Sequence, residues 1–154
     1  MNVVLLGFMG TGKTTIGKRL AEHLGWTFTD MDALIEQREG RTISEIFAQE
    51  GEPFFRSLEK KLVKELALGE RQVIATGGGV VLDPDNVRCF QACGLCVCLQ
   101  ADVETILQRV RHDAQRPLLE NGPKAERIRA LLRQRRPLYE AIPLQIDTAT
   151  RSID

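Results

Sequence analysis

One segment, Gly7-Phe-Met-Gly-Thr-Gly-Lys-Thr14, limits most narrowly what this chain can fold into. It follows an apolar run at residues 3–6 and precedes a helical pattern, which is the strand, loop and helix context of a phosphate-binding P-loop. Glycines in such a loop let consecutive backbone N–H groups turn inward around a polyphosphate, and the positive end of the next helix adds to the attraction. We therefore predict a nucleotide site whose phosphate-binding residues are Gly7, Gly10, Thr11, Gly12, Lys13, Thr14 and Thr15.

Lys13 and Thr14 carry the chemistry of this loop. A lysine at this position reaches the outer phosphates of the nucleotide, and the threonine hydroxyl beside it ligates Mg²⁺. A P-loop by itself does not separate a kinase from a nucleotide-dependent switch or a motor. Other residues must decide between these classes.

The size and charge of the chain exclude several kinds of partner. At 154 residues it fits a single domain, which we expect to span residues 1–154. Its 21 basic and 21 acidic residues cancel, so nothing in the overall charge favours nucleic acid or a membrane surface. No apolar stretch has the length of a membrane span, and the first residues carry the P-loop instead of a signal peptide, so we expect a cytoplasmic protein.

Four cysteines lie close together in the sequence, at Cys89, Cys93, Cys96 and Cys98. Thiolates at short spacing can bind zinc. However, Cys96 and Cys98 fall in the apolar segment 95–99, which predicts a buried strand, and the other two are one turn apart on the preceding helix. Because free cysteine packs as a small hydrophobe, we favour core packing over a metal site.

Apolar runs alternate with segments of helical periodicity along the whole chain. This alternation predicts an α/β fold in which a parallel sheet carries helices on both faces. We expect five strands, at residues 3–8, 26–29, 73–75, 95–99 and 144–146.

A polar connection at about residues 112–124 interrupts this pattern. It contains Pro117, Gly122 and Pro123 and has no helical periodicity. Long irregular connections in compact domains are usually functional or disordered, and a mobile lid over the phosphates is a natural use. We predict such a lid here.

Two carboxylates, Asp30 and Asp32, follow the second predicted strand. Open α/β sheets bind ligands at the carboxyl ends of their strands, so one carboxylate could orient Mg²⁺ while the other accepts a substrate hydroxyl. Alternatively, Asp30 caps the next helix and Asp32 is only its acidic first turn. From these residues alone the two interpretations are equally good.

Six segments together are far more specific than the P-loop. They are residues 7–14, Asp30-Met-Asp32, Phe54-Phe-Arg56, Ala75-Thr-Gly-Gly-Gly-Val-Val81, Arg116-Pro-Leu-Leu119 and Arg135-Arg-Pro-Leu-Tyr139. In these segments and in their order, over nearly the whole chain, the sequence resembles the shikimate kinase family. The resemblance implies ATP-dependent phosphorylation of the 3-hydroxyl of shikimate, on the way to chorismate and aromatic amino acids. It also implies a nucleoside-monophosphate-kinase-like, three-layer fold with strand order 2-3-1-4-5.

The resemblance further implies the residues that bind shikimate, with a helical segment at about residues 32–60 carrying several of them. Arg56 and Arg135 match the arginines that bind its carboxylate, and a guanidinium fork suits bidentate carboxylate binding. Asp32 matches the residue that holds the ring hydroxyls and takes the reacting proton. The backbone of Gly77, Gly78 and Gly79 matches a turn that approaches the substrate, although without the family an ordinary tight turn is the better interpretation.

On the nucleotide side, Asp30 matches the residue that supports Mg²⁺, and Arg116 matches the lid arginine that meets charge on the transferring group. Arg109 and Arg151 match the adenine side, although solvated arginines are common on exposed helices. Glu59 is placed to orient Arg56, three positions earlier on the same helical face. Two aromatic residues also fall near the implied pocket, and for them core packing is the stronger interpretation: Phe47 and Phe55.

The expected partners are ATP with Mg²⁺ and shikimate, bound by a monomer. Two alternatives stay open. Another P-loop metabolite kinase, for gluconate or a nucleoside monophosphate, would lack the complete set of substrate-side segments. A noncatalytic nucleotide switch is disfavoured because the sequence contains no Asn-Lys-x-Asp segment that reads guanine.

Overall fold

The computed structural model describes residues 1–110 and 124–148. Its centre is a five-stranded parallel sheet in the order β2-β3-β1-β4-β5, which confirms the predicted fold and strand order. The strand bounds differ from the predicted runs by at most one residue at each end. The strands are β1 Asn2–Gly7, β2 Thr27–Asp30, β3 Gln72–Ala75, β4 Gly94–Gln100 and β5 Leu144–Asp147.

Seven α-helices and a 3₁₀ turn at Val80–Leu82 are found in this described part of the chain. The last helix begins at Lys124, so the final residue of the predicted lid is helical. None of these helices is long and apolar enough to cross a membrane. The helices are α1 Lys13–Leu24, α2 Met31–Glu39, α3 Ile43–Glu50, α4 Glu52–Ala67, α5 Pro84–Cys93, α6 Val103–Val110 and α7 Lys124–Glu140.

The sheet is apolar on both faces because alternate residues of each strand point to opposite sides. Val4 and Leu6 of β1 pack with the larger core, which includes residues of α2 to α7. Leu5 packs on the other face, against Ala21 of α1. The two cores give the three layers that the sequence predicts.

Local signals set where the helices begin and end. Gly25 ends α1 in the left-handed conformation, at φ 67°, which glycine adopts without strain. The side chain of Asp102 accepts a hydrogen bond from the backbone N–H of Thr105 at 2.8 Å and so caps α6. Near the end of α1, Ala21 is buried, whereas Leu24 is 43% exposed.

The strand register brings three loops together at one edge of the sheet. Ala75 of β3 is paired with both Leu5 of β1 and Asp30 of β2, so the segments that follow these residues leave the sheet side by side. Thr76 strengthens this junction, because its hydroxyl and its backbone N–H both donate to the Leu5 carbonyl, at 2.9 and 3.1 Å. The P-loop, the Asp30–Asp32 segment and the turn at Gly77, Gly78 and Gly79 (the glycine turn) are therefore neighbours.

Candidate active site

The P-loop adopts backbone conformations that favour glycine at three of its positions. Gly7, Gly10 and Gly12 have φ values of 142°, 77° and 98°. The Nζ of Lys13 lies inside the loop and donates to the carbonyls of Gly7 and Phe8, at 2.6 and 2.9 Å. The ammonium is thus held within the curve of the backbone, where a polyphosphate would be bound.

One hydrogen bond within the motif and one from outside it hold the loop in place. The Thr11 hydroxyl donates to the carbonyl of Phe8 at 2.7 Å. The hydroxyl of Thr148, at the end of β5, donates to the carbonyl of Thr11 at 2.7 Å. Nothing in the sequence singles out Thr148, because a contact across 137 residues depends entirely on the fold.

Thr14 and Asp30 meet at the mouth of the P-loop. The Thr14 hydroxyl donates to Oδ2 of Asp30 at 2.8 Å, while Oδ1 of Asp30 accepts from the backbone N–H of Ala33 at 3.2 Å. The carboxylate therefore caps α2, as one interpretation of the sequence expects, and its other oxygen faces the phosphate loop. Its role at Mg²⁺ stays a prediction.

These two oxygen donors suit a hard divalent cation. In the described part of the chain, no group of three or more His, Cys, Asp or Glu residues could hold a metal by itself. A cation bound by Thr14 and Asp30 would therefore take its remaining ligands from phosphate oxygens and water, as Mg²⁺ usually does beside nucleotides.

Arg56 on α4 is held by two carboxylates from its own helix. Oε2 of Glu52 lies 3.1 Å from Nε and 3.1 Å from Nη2 of the guanidinium. Oε1 of Glu59 accepts from Nη1 at 3.0 Å. The guanidinium carbon also lies 5.3 Å from the centre of the Phe55 ring. Three neighbours on one helix thus fix the direction of Arg56.

Glu59 is a buried carboxylate at the centre of the site, with 1% of its surface exposed. Its pKa is raised to about 7, chiefly by burial; the charge and hydrogen bond of Arg56 lower the pKa, the nearby Asp32 carboxylate raises it, and the charge of Arg135 lowers it. These influences place four charged side chains around one point: Asp32, Arg56, Glu59 and Arg135.

The glycine turn lets these side chains approach the backbone. A Cβ at Gly77 would lie 2.7 Å from Oδ1 of Asp32, and a Cβ at Gly79 would lie 2.3 Å from Nη1 of Arg56. Side chains are therefore excluded at both positions unless these groups move. The prediction that missing side chains permit close approach is consistent with this geometry, and the approaching groups are side chains of the protein itself.

Gly78, between them, marks the place where the two halves of the site meet. Its Cβ would lie 3.5 Å from the Met9 backbone nitrogen, 3.6 Å from Nη1 of Arg135 and 3.8 Å from the Gly7 carbonyl. The P-loop backbone and the Arg135 guanidinium thus both approach the same point beside one glycine.

Helix α7 supplies Arg135 and Tyr139, one turn apart. Arg135 is 4% exposed. The Tyr139 hydroxyl donates to the Gly78 carbonyl at 2.5 Å, and burial raises its pKa to about 12, so it stays protonated as a donor. The helix therefore fixes the glycine turn while it presents Arg135.

A cleft of about 330 Å³ opens beside Arg56. Arg56 is the one basic residue in its lining, whereas three of the lining residues are acidic. The lining consists of Glu52, Arg56, Glu59, Gly79, Leu82, Asp83, Pro84 and Asn86.

The other residues singled out from the sequence divide between the core and the undescribed segments. Phe55 is 4% exposed and packs on Phe47 with ring centres 5.2 Å apart, which agrees with core packing. Burial raises the thiol pKa of Cys96 and of Cys98 to about 11, so both stay protonated and pack in the core.

The arginines of the predicted lid and adenine side lie at or beyond the limits of the described residues. Arg116 and Arg151 fall in the segments 111–123 and 149–154, outside the described residues, as does nearly all of the predicted lid. Arg109 lies in α6, near its end. Their roles stay predictions.

Sequence reasoning missed two residues that shape this site. Glu52 stands four positions before Arg56, a spacing at which opposite charges meet on a helix, so the ion pair could have been found. Tyr139 stands four positions after Arg135 and therefore shares its helical face. Its bond to Gly78 could not have been found from spacing.

Comparison with known proteins identifies the family. The family model for shikimate kinase matches residues 9–154. A shikimate kinase of Pelotomaculum thermopropionicum is 48% identical over 153 residues, which cover 99% of this chain and 89% of that protein.

Solved structures agree. A shikimate kinase from Acinetobacter baumannii in complex with shikimate is 40% identical, with a TM-score of 0.94 over 99% of this chain and 86% of that chain. A gluconokinase from Sinorhizobium meliloti is 16% identical, with a TM-score of 0.59 over 99% of this chain and 84% of that one, and shares the fold alone. The chain belongs to the shikimate kinase family.

Proposed function

We propose that this chain transfers the terminal phosphoryl group of ATP to the 3-hydroxyl of shikimate. The proposal is carried by the surroundings of Gly78, where the P-loop backbone and the Arg135 guanidinium both lie within 4 Å of the position of its missing Cβ. A polyphosphate in the loop and an acid at the arginine would therefore be neighbours. The family to which the chain belongs supports the same reaction.

Two guanidinium groups and one carboxylate would bind shikimate. Arg56 and Arg135 supply forks for its carboxylate, and Asp32 accepts hydrogen bonds from its ring hydroxyls. Glu59 contacts Arg56 and lies beside Asp32, so it positions both without needing to touch the substrate. The backbone of Gly77, Gly78 and Gly79 lines the same place.

Phosphoryl transfer needs positioning and charge stabilisation more than a strong base. Lys13 is held at the P-loop, where it would stabilise charge on the outer phosphates. Asp32 would orient the attacking hydroxyl and take its proton late, so an ordinary carboxylate suffices. Arg116 would bring a further positive charge from the lid to the transferring group.

The nucleotide would be held by Gly7, Gly10, Thr11, Gly12, Lys13, Thr14 and Thr15, with Arg109 and Arg151 on the adenine side. Thr14 and Asp30 would hold the divalent cation, which we propose is Mg²⁺ because both donors are hard oxygens. Mg²⁺ bound there neutralises phosphate charge. We further propose that one domain, residues 1–154, does this as a cytoplasmic monomer.

The direct test is to incubate the protein with ATP, Mg²⁺ and shikimate and to detect the product by mass spectrometry. We expect shikimate 3-phosphate and ADP in equal amounts. Gluconate and a nucleoside monophosphate serve as competing acceptors, and EDTA should stop the reaction. Folded protein that leaves shikimate unchanged, or that prefers another acceptor, would contradict the proposal.

A further inference from the structure

The guanidinium of Arg56 already pairs with two carboxylates, and this limits how a substrate carboxylate can bind to it. Glu52 occupies the edge formed by Nε and Nη2, and Glu59 occupies Nη1. A bidentate pair with a substrate carboxylate needs one edge of the guanidinium, with two parallel N–H bonds. The Nε and Nη2 edge is one of the two edges that can form such a pair, and Glu52 holds it. A carboxylate that binds Arg56 through this edge must therefore replace Glu52.

The two partners differ in how easily they can be replaced. The Glu59 side chain is 2% exposed and is enclosed near Asp32 and Gly77. The Glu52 side chain is 43% exposed and belongs to the first residue of α4. Glu52 can turn into water and be solvated there, whereas Glu59 has no such alternative.

If Glu52 moves away from Arg56, two other contacts still fix the direction of the guanidinium. Glu59 still accepts from Nη1, and the guanidinium still faces the Phe55 ring. Arg56, whose Nε and Nη2 edge would be released by Glu52, lines the cleft of about 330 Å³. That edge is therefore available to a ligand in the cleft.

We infer that Glu52 takes the place of the substrate carboxylate in the free protein. Glu52 pairs with the Nε and Nη2 edge of Arg56 before shikimate binds, and it leaves this edge when the substrate carboxylate binds there. Glu52 is then a positioning residue that competes with the substrate and so sets the affinity for the acid. This inference rests on the proposed function, because it takes shikimate as the acid.

The variant Glu52→Gln tests this competition, since glutamine keeps the shape of the side chain and loses its charge. We expect the Kd and KM for shikimate to fall about three- to fivefold, in keeping with the strength of a half-exposed ion pair. Because the exchange precedes chemistry, kcat should stay within about twofold of its original value. Calorimetry gives Kd, and initial rates at saturating ATP give KM and kcat.

Glu50→Gln is the matched control. Glu50 ends α3, its side chain is 44% exposed, and it lies 3.6 Å from Arg41 instead of pairing with Arg56. It removes the same charge two residues away, so it should leave the KM unchanged. The methyl ester of shikimate provides a second control, because it carries no carboxylate charge. Its kcat/KM, measured as a slope below saturation, should be the same for Glu52→Gln and the original protein.

The outcomes are distinct. A KM for Glu52→Gln that is equal to or higher than the original overturns the inference. So does an equal gain in Glu50→Gln or with the ester, because either result would reflect general charge. If the unaltered protein neither binds nor phosphorylates shikimate, the proposed function fails first. If it does both and Glu52→Gln binds no tighter, the inference fails alone.

Discussion

The P-loop and the proposed acid-binding cluster, formed by Asp32, Arg56, Glu59 and Arg135, lie side by side but are built differently. The loop is one continuous segment, and its internal contacts join residues three to six positions apart. The cluster gathers Asp32, Arg56, Glu59 and Arg135 from three helices, with buried charge at its centre. The first half therefore depends on backbone conformation and the second on a balance of charges.

Because of this difference, the acid-binding cluster carries a free-energy cost of buried charge that the P-loop does not. Burying a charge is unfavourable unless partners and hydrogen bonds compensate it. Glu59, whose pKa is raised to about 7, shows that compensation is incomplete in the cluster. The loop contains backbone dipoles and one ammonium, which already donates to two carbonyls.

Of the variants considered, Lys13→Ala should distinguish most clearly between the role of the P-loop and the role of the acid-binding cluster. We expect kcat to fall about a hundredfold to a thousandfold, because a positioned charge near the transferring group is lost. Binding of shikimate without nucleotide should be unaltered, since the acid-binding cluster keeps all its charges. Lys18→Ala, at an exposed position of the same helix, is the control for initial rates and calorimetry. Weakened shikimate binding in Lys13→Ala would show that the halves are not separate.

Arg135→Ala addresses the other half. We expect the KM for shikimate to rise about tenfold to a hundredfold, with a smaller change in kcat, because a fork partner of the carboxylate is lost. ATP binding measured without shikimate should be preserved. Arg133→Ala, exposed on the same helix, is the control. A shikimate KM that does not move would remove Arg135 from the pocket.

The glycine turn offers a comparison within three residues. Gly77→Ala should lower the free energy of unfolding by about 1–3 kcal/mol, because its Cβ displaces Asp32 and approaches the buried Glu59. Gly78→Ala should change it by less than about 0.5 kcal/mol, since its nearest neighbour is 3.5 Å away. Urea unfolding measures both. Equal losses would mean that the turn itself, and not the charges behind it, limits substitution.

The last expected effect is a dependence of stability on pH. Because the folded pKa of Glu59, about 7, exceeds its ordinary value of 4.5, the folded state binds the extra proton between these values. The stability from this group is complete below about pH 4.5 and is lost as the pH rises to about 7. We expect Glu59→Gln to remove a slope of up to about 1 kcal/mol per pH unit in this window.

Urea unfolding at several pH values measures this slope. Glu65→Gln is the control, because Arg38 lowers the pKa of Glu65 and its titration falls below the window. An unchanged slope in Glu59→Gln would falsify the assignment of the buried proton to this residue.

The same contrast explains what could be predicted from sequence. The P-loop could be found from consecutive residues, and the sheet could be found from its alternating apolar runs. In the other half, the resemblance to a family supplied the residues, and helical spacing predicted the contact of Glu59 with Arg56. The contacts between different helices could not be predicted. Whether Glu59 is buried beside Asp32 depends on the packing of α4 against the glycine turn, which spacing along the chain does not reveal.

Local rules reach some of this half and not the rest. Glu52 obeys the helical spacing to Arg56 and still does not stand out in the sequence, because acidic residues at the start of a helix are common. The Thr148 and Tyr139 hydrogen bonds join segments 137 and 61 residues apart. Such contacts follow from the strand order and helix packing, and no short motif encodes them.

Asp30 belongs to both halves, since one of its oxygens accepts from Thr14 and the other holds the start of the helix that carries Asp32. A change of residue 30 would therefore alter the proposed cation ligand and the start of the helix that carries Asp32 in a single step.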